Sequence, residues 1–178
     1  MSWSETVSPE ASTPNTHSAP DLSQLSAEAL TALYRERKAS PVEVTQAILR
    51  HIETHEPVLN TFALLDAESA LASARASEQR WLAKTPLSAV DGVPVAVKDL
   101  LLAKGWPTLR GSRAVDPDQP WDEDAPSTAR LREQGAVLLG KTTTAEYGWK
   151  ALADSPLTGV TRNPWNRLHT PGGSSGGS

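Results

Sequence analysis

Apolar positions along the chain change their period several times, and each change marks an element. Leu22, Leu25, Ala29 and Leu33 recur at the spacing of one helical face, with Ser26 placed to cap Ala27-Glu28-Ala29. Val44, Ala47, Ile48 and Ile52 make a second stripe. Ser40-Pro41-Val42-Glu43 opens it as a capping box with proline at the first helical position. This helix is expected to stop before Pro57, because proline lacks an N–H and restricts the residue before it. Residues 60–65 then read as a short strand, and the alanine-rich stretch 67–84 as a helix. Between Gly92 and Asp99 the period drops to two. Val93, Val95 and Val97 share one face, and Pro94, Ala96 and Lys98 share the other. Lys98 therefore leaves a strand among small neighbours, with room for a group to pack over it.

Residues 104–126 lose the period and read as a loop. Their acids, Asp116, Asp118, Asp122, Glu123 and Asp124, do not follow calcium-loop spacing and read as a solvated charge cluster. Asp124 is placed to cap a helix over 126–134, which Gly135 ends. Val137-Leu138-Leu139 then forms a buried strand. Strand, loop, helix, strand is the order of an α/β fold with a parallel or mixed sheet. Residues 1–20 are rich in Ser, Thr and Pro without an apolar period, and are expected to be a disordered leader to a domain over 21–178.

Composition narrows the function classes. The chain has 178 residues, 38% of them hydrophobic, a net charge of −4 and no cysteine. Disulfides, zinc–thiolate sites and cysteine nucleophiles are excluded, and no basic footprint argues for a nucleic-acid partner. No apolar run approaches the ~20 residues of a membrane span, and no secretory signal pattern opens the chain. The expected location is cytoplasmic, without a membrane partner. His51 and His55 stand four apart, a spacing that can chelate metal, but the HExxH pattern is absent. They are read as surface histidines, and no metal or cofactor is called for.

Gly135-Ala136-Val137-Leu138-Leu139-Gly140-Lys141-Thr142 satisfies the phosphate-loop expression G-x-x-x-x-G-K-[ST]. That loop needs a strand before its first glycine and a helix opening at its lysine. Here the helix comes first and the run between the glycines is itself the strand, so the match is rejected.

The chemistry concentrates in Gly172-Gly173-Ser174-Ser175-Gly176-Gly177-Ser178. Such a run is by default a linker. This one follows Gly159-Val160-Thr161-Arg162-Asn163-Pro164-Trp165-Asn166, an aromatic and proline-punctuated lead-in that linkers rarely have, and it reads as a site. A serine hydroxyl becomes a nucleophile only when a base takes its proton. Lysine can be that base only if burial leaves it neutral. Lys98 is the candidate.

These stretches together resemble the amidase signature family. The resemblance runs from about Ser26 to Ser178. It includes Asp91-Gly92-Val93-Pro94-Val95-Ala96-Val97-Lys98-Asp99, Gly105-Trp106-Pro107-Thr108 with Gly111-Ser112, the stretch from Gly135 to Thr142, Thr161-Arg162-Asn163-Pro164-Trp165-Asn166, and the Gly/Ser run. It implies the N-terminal part of an α/β/α-layered fold around a mixed sheet. It also implies a serine hydrolase with a Ser–cis-Ser–Lys triad and a small-molecule amide as substrate, and it allows a homodimer in the full-length enzyme. By match to the motif, Lys98 is the general base and Ser174 the bridging serine, preceded by a cis peptide from Gly173. Ser175 helps hold the lysine, and Tyr147-Gly148-Trp149 resembles a substrate-facing loop. Thr143 stands where many members have asparagine, a change expected to alter local hydrogen bonds.

In the family the acylated serine lies on a further Gly-Gly-Ser segment downstream, whose amides form the oxyanion hole. The nucleophile is absent from residues 1–178, which alone are expected not to hydrolyse amides and to fold marginally. Two other readings stand beside the amidase. One is the glutaminase subunit of a tRNA-dependent amidotransferase; the other is a non-catalytic gene remnant.

Overall fold

A computed structural model of the chain describes residues 21–173. The leader at 1–20, Ser174, Ser175 and the rest of the Gly/Ser run to Ser178 lie outside the described residues. After a 3-10 turn at Leu22–Gln24 come α1 (Ala27–Glu36), α2 (Pro41–Leu59), β1 (Phe62–Leu65), α3 (Ala67–Leu82) and β2 (Pro94–Lys98). Then follow α4 (Pro126–Glu133), β3 (Val137–Thr142), a 3-10 turn at Glu146–Gly148, and the hairpin β4 (Asp154–Ser155) and β5 (Gly159–Val160). No described helix is long and apolar enough to cross a membrane.

The helix starts follow the sequence. Ser26 Oγ accepts from the Ala29 N–H at 3.2 Å. Ser40 and Glu43 close their capping box, with bonds of 3.2 and 2.8 Å. Two helix ends and one cap differ from expectation; α3 ends at Leu82 rather than at Lys84, which takes a positive φ. Helix α2 does not stop before Pro57 but runs through it to Leu59. Proline sits in the last turn, where its missing N–H forfeits one bond, and the structure beyond it is held by side chains. The Glu56 carboxylate accepts from the Thr61 and Phe62 N–H groups and from the Thr61 hydroxyl, while Asn60 takes the left-handed C-cap. Asp124 does not cap α4; the N-cap is Ala125, with no side-chain bond. Asp124 instead accepts from the Lys104 N–H at 2.7 Å and pairs with Arg132 at 3.1 Å, so it ties the preceding loop to the helix. The apolar face of α1 is also centred differently. Leu30, Thr31 and Tyr34 are its buried residues, and Leu22, Leu25 and Leu33 flank them.

β3 is the middle strand of a three-stranded mixed sheet. It runs antiparallel to β1 and parallel to β2. All six of its residues are buried, which explains the continuous apolar run at its start. Helices α2 and α3 cover one face, where Ala70 and Ala74 pack on Val137 and Leu139. On the other face Val97, Ala103, Trp106 and Leu138 form a second core, with Val95 and Leu131 at its edge. Trp106 thus belongs to the interior although it lies in a segment expected to be loop. Its indole N–H donates to Asp66 at 2.9 Å, and Arg132 lies over its ring.

A bulge in the β2–β3 register falls between Val95 and Ala96 and leaves Leu139 as the extra residue before Gly140. A Cβ on Gly140 would lie 2.1 Å from the Leu64 carbonyl oxygen. The glycine of the rejected phosphate-loop match is therefore required by the close approach of β1.

Candidate functional site

Lys98 is the last residue of β2, at the outer edge of the sheet opposite β1. It is half-buried, and burial pushes its ammonium below the ordinary lysine value of 10.5. Its backbone is closely held. The Lys98 carbonyl accepts from the Leu100 N–H at 2.7 Å and the Leu101 N–H at 3.0 Å, and the Asp99 N–H donates to the Thr142 carbonyl at 2.9 Å.

Immediately past Lys98 the chain turns onto a buried polar network. Asp99 Oδ1 lies 3.3 Å from Lys141 Nζ, and neither side chain is more than 3% exposed. Asp99 Oδ2 accepts from the Gly111 N–H at 3.2 Å. Lys141 Nζ also donates to the Leu101 carbonyl at 2.8 Å and to Thr108 Oγ1 at 2.7 Å. Burial pushes the Asp99 carboxyl up and the Lys141 ammonium down, and the charge of each partner opposes that drift. In register Lys141 stands beside Val97, and Lys98 beside Thr142. Strand alternation therefore sends Lys98 and Lys141 to opposite faces of the sheet. Sequence reasoning does not single out the buried Lys141. The signal present is a lysine inside an otherwise apolar strand, which burial tolerates only with a full set of partners.

Tyr147-Gly148-Trp149 lies close to this turn. The Tyr147 N–H donates to the Arg110 carbonyl at 2.8 Å, and Ser112 Oγ donates to Glu146 at 2.7 Å. Gly148 sits against Leu100, whose Cδ1 is 2.7 Å from the position a Cβ would occupy. Tyr147 is 52% and Trp149 76% exposed. Gly173 comes against the next part of the same loop, where an added Cβ would fall 2.6 Å from Ala151 Cα. Lys98, the 147–149 loop and the start of the Gly/Ser run are thus linked through Leu100 and Ala151. The Thr143 side chain meets Thr161 Oγ1 at 2.6 Å, and its backbone N–H donates to the Thr61 carbonyl at 2.9 Å.

The His51 and His55 rings meet at a tilt of 58°, with centroids 4.4 Å apart. Among the described residues no group of three His, Cys, Asp or Glu is placed to hold a metal. An apolar groove between α2 and α3, lined by Leu49, Ile52, Pro57 and Leu71, includes neither Lys98 nor residues 147–149.

A family model described as Amidase matches residues 43–178. The chain is 42% identical over 158 residues to a Glutamyl-tRNA(Gln) amidotransferase subunit of Salinispora arenicola, covering 89% of this chain and 32% of that protein. It is 42% identical over 142 residues to the Putative amidase AmiA2 of Mycobacterium bovis, covering 80% of this chain and 29% of that one. Among solved structures, a bacterial aryl acylamidase of the amidase signature family superposes with a TM-score of 0.82 at 30% identity, over 88% of this chain and 32% of that chain. The peptide amidase of Stenotrophomonas maltophilia gives 0.79 at 29% identity, over 87% and 33%. The chain spans about a third of the length of the curated relatives it matches.

Proposed function

The chain belongs to the amidase family, and from that premise we propose that it supplies the general base of an amide hydrolase. In this reading neutral Lys98 takes a proton through Ser174 from a serine on a downstream Gly-Gly-Ser segment outside residues 1–178. That serine attacks the amide carbon, and the tetrahedral intermediate collapses to an acyl-enzyme. The proton returns through Ser174 to the leaving nitrogen, releasing ammonia or an amine, and water then hydrolyses the ester by the same path. Ser175 and Gly173 hold the bridging turn, and Tyr147, Gly148 and Trp149 border the substrate. The carrying observation is the position of Lys98: a strand-end lysine, held by two bonds to its carbonyl and depressed by burial. A base of this kind has to lose its charge before it can act.

A second reading follows from the similarity to glutamyl-tRNA(Gln) amidotransferases. There the same chemistry acts on glutamine and passes ammonia to a partner protein. Ammonia release by the gene product that carries these residues, measured on aryl amides, aliphatic amides and glutamine, separates the two. Turnover of simple amides supports a stand-alone amidase, and glutamine-restricted turnover supports the amidotransferase. Release from none of them, by a folded protein and with its partners supplied, would overturn both and leave a non-catalytic remnant.

A further inference from the structure

The Lys98 carbonyl accepts from the Leu101 N–H at 3.0 Å, and the Leu101 carbonyl accepts from Lys141 Nζ at 2.8 Å. A single residue, Leu101, therefore joins the two lysines across the sheet. Lys141 is fully buried and its other contacts, Thr108 Oγ1 at 2.7 Å and Asp99 at 3.3 Å, lie on the segment that follows β2. An aliphatic residue would fill this strand position without any desolvation cost, so a buried ammonium here needs a reason beyond packing. We propose that Lys141 is a positioning residue for Lys98: its three-point clamp on Asp99, Leu101 and Thr108 fixes the turn from which the Lys98 side chain leaves the sheet and keeps water from loosening it. The inference rests on Lys98 being the base of the proposed reaction, but its test reads the proton on Lys98 directly.

The charged groups around the turn are Asp99 within it, Lys141 on β3, Arg110, whose charge acts on Lys141, and Glu146, held by Ser112. Burial accounts for the depression of Lys98. Freeing the turn admits water and returns Lys98 toward an ordinary lysine. Competitive acetylation of the intact protein with acetic anhydride across pH, read by mass spectrometry on the Lys98 peptide, follows its neutral fraction. Lys141→Met is expected to lower Lys98 labelling at pH 8, relative to its high-pH limit, by about threefold or more. Lys141→Arg should recover part of that loss. Arg80→Met, which breaks a different buried ion pair at the far end of β2, is expected to destabilise the protein without moving Lys98. Unchanged labelling in Lys141→Met, or the same change in Arg80→Met, overturns the inference. Should Lys141→Met not fold, Thr108→Val removes one Nζ partner isosterically, and it must shift Lys98 in the same direction or the inference fails. Loss of hydrolysis in Lys98→Met is a separate readout, so failure of the base assignment and failure of the clamp are distinguishable.

Discussion

Replacing Arg80 by methionine tests how the motif residue Asp91 contributes. Asp91 is fully buried, and its carboxylate accepts from Arg80 Nε at 2.8 Å, Arg80 Nη2 at 2.6 Å and the Leu87 N–H at 2.8 Å. Gly135 passes so close that a Cβ there would lie 2.5 Å from Asp91 Oδ1. Burial pushes the Asp91 carboxyl up, but Arg80 and the backbone donor outweigh it and hold it below the usual carboxylate value of 3.8. Removing Arg80 strips the buried carboxylate of its charged partner. Breaking a buried pair in this way costs about 3–5 kcal/mol. Arg80 keeps 27% of its side chain in water, which places the expected loss near about 3 kcal/mol. The pH dependence follows from the direction of the shift. A carboxyl depressed in the fold stabilises above its unfolded value, and that contribution is lost as pH falls through the folded value. The gap between wild type and R80M should therefore be full at pH 7 and shrink in acid below 3.8. Urea denaturation at pH 7 and pH 3 measures it. A loss below about 1 kcal/mol, or a gap of equal size at both pH values, would refute the argument.

Further outcomes follow from the same contacts. Gly140→Ala places a methyl 2.1 Å from the Leu64 carbonyl oxygen; it should cost about 1–3 kcal/mol or more, measured by denaturation, because backbone rather than a side chain must move. Gly173→Ala meets Ala151 backbone at 2.6 Å, and should displace the Gly/Ser run and lower kcat with little change in the melting temperature. If Lys98 is the base, kcat/KM should rise with pH through the depressed Lys98 value, and a flat profile from neutral pH upward would count against it.

Local chemistry is the legible part of the sequence. Ser26 and Ser40 cap the helices that follow them, Val95 and Val97 meet the same core, and a helix before the first glycine excludes a phosphate loop. Each of these depends on residues a few positions apart. What escapes depends on distant partners. Pro57 stays helical because Glu56 is engaged by Thr61 and Phe62 beyond the helix end. Asp124 leaves its cap position for Lys104 and Arg132. Trp106 becomes core because Asp66 supplies an acceptor for its indole. At the site, Lys98 is marked by its strand pattern and by family resemblance. Lys141 lies in view within a motif, but nothing local connects it to Asp99, Leu101 and Thr108. Ser174 and Ser175 lie outside the described residues, so their roles rest on the resemblance and on where Gly173 is held.

Lys98 is the proposed base of amide hydrolysis. The most direct test of that role is ammonia release from a turned-over amide by the gene product carrying these residues, compared with its Lys98→Met variant. In that variant kcat is expected to fall by about a thousandfold or more while the protein stays folded. A folded variant that keeps kcat within about tenfold of wild type would contradict that role.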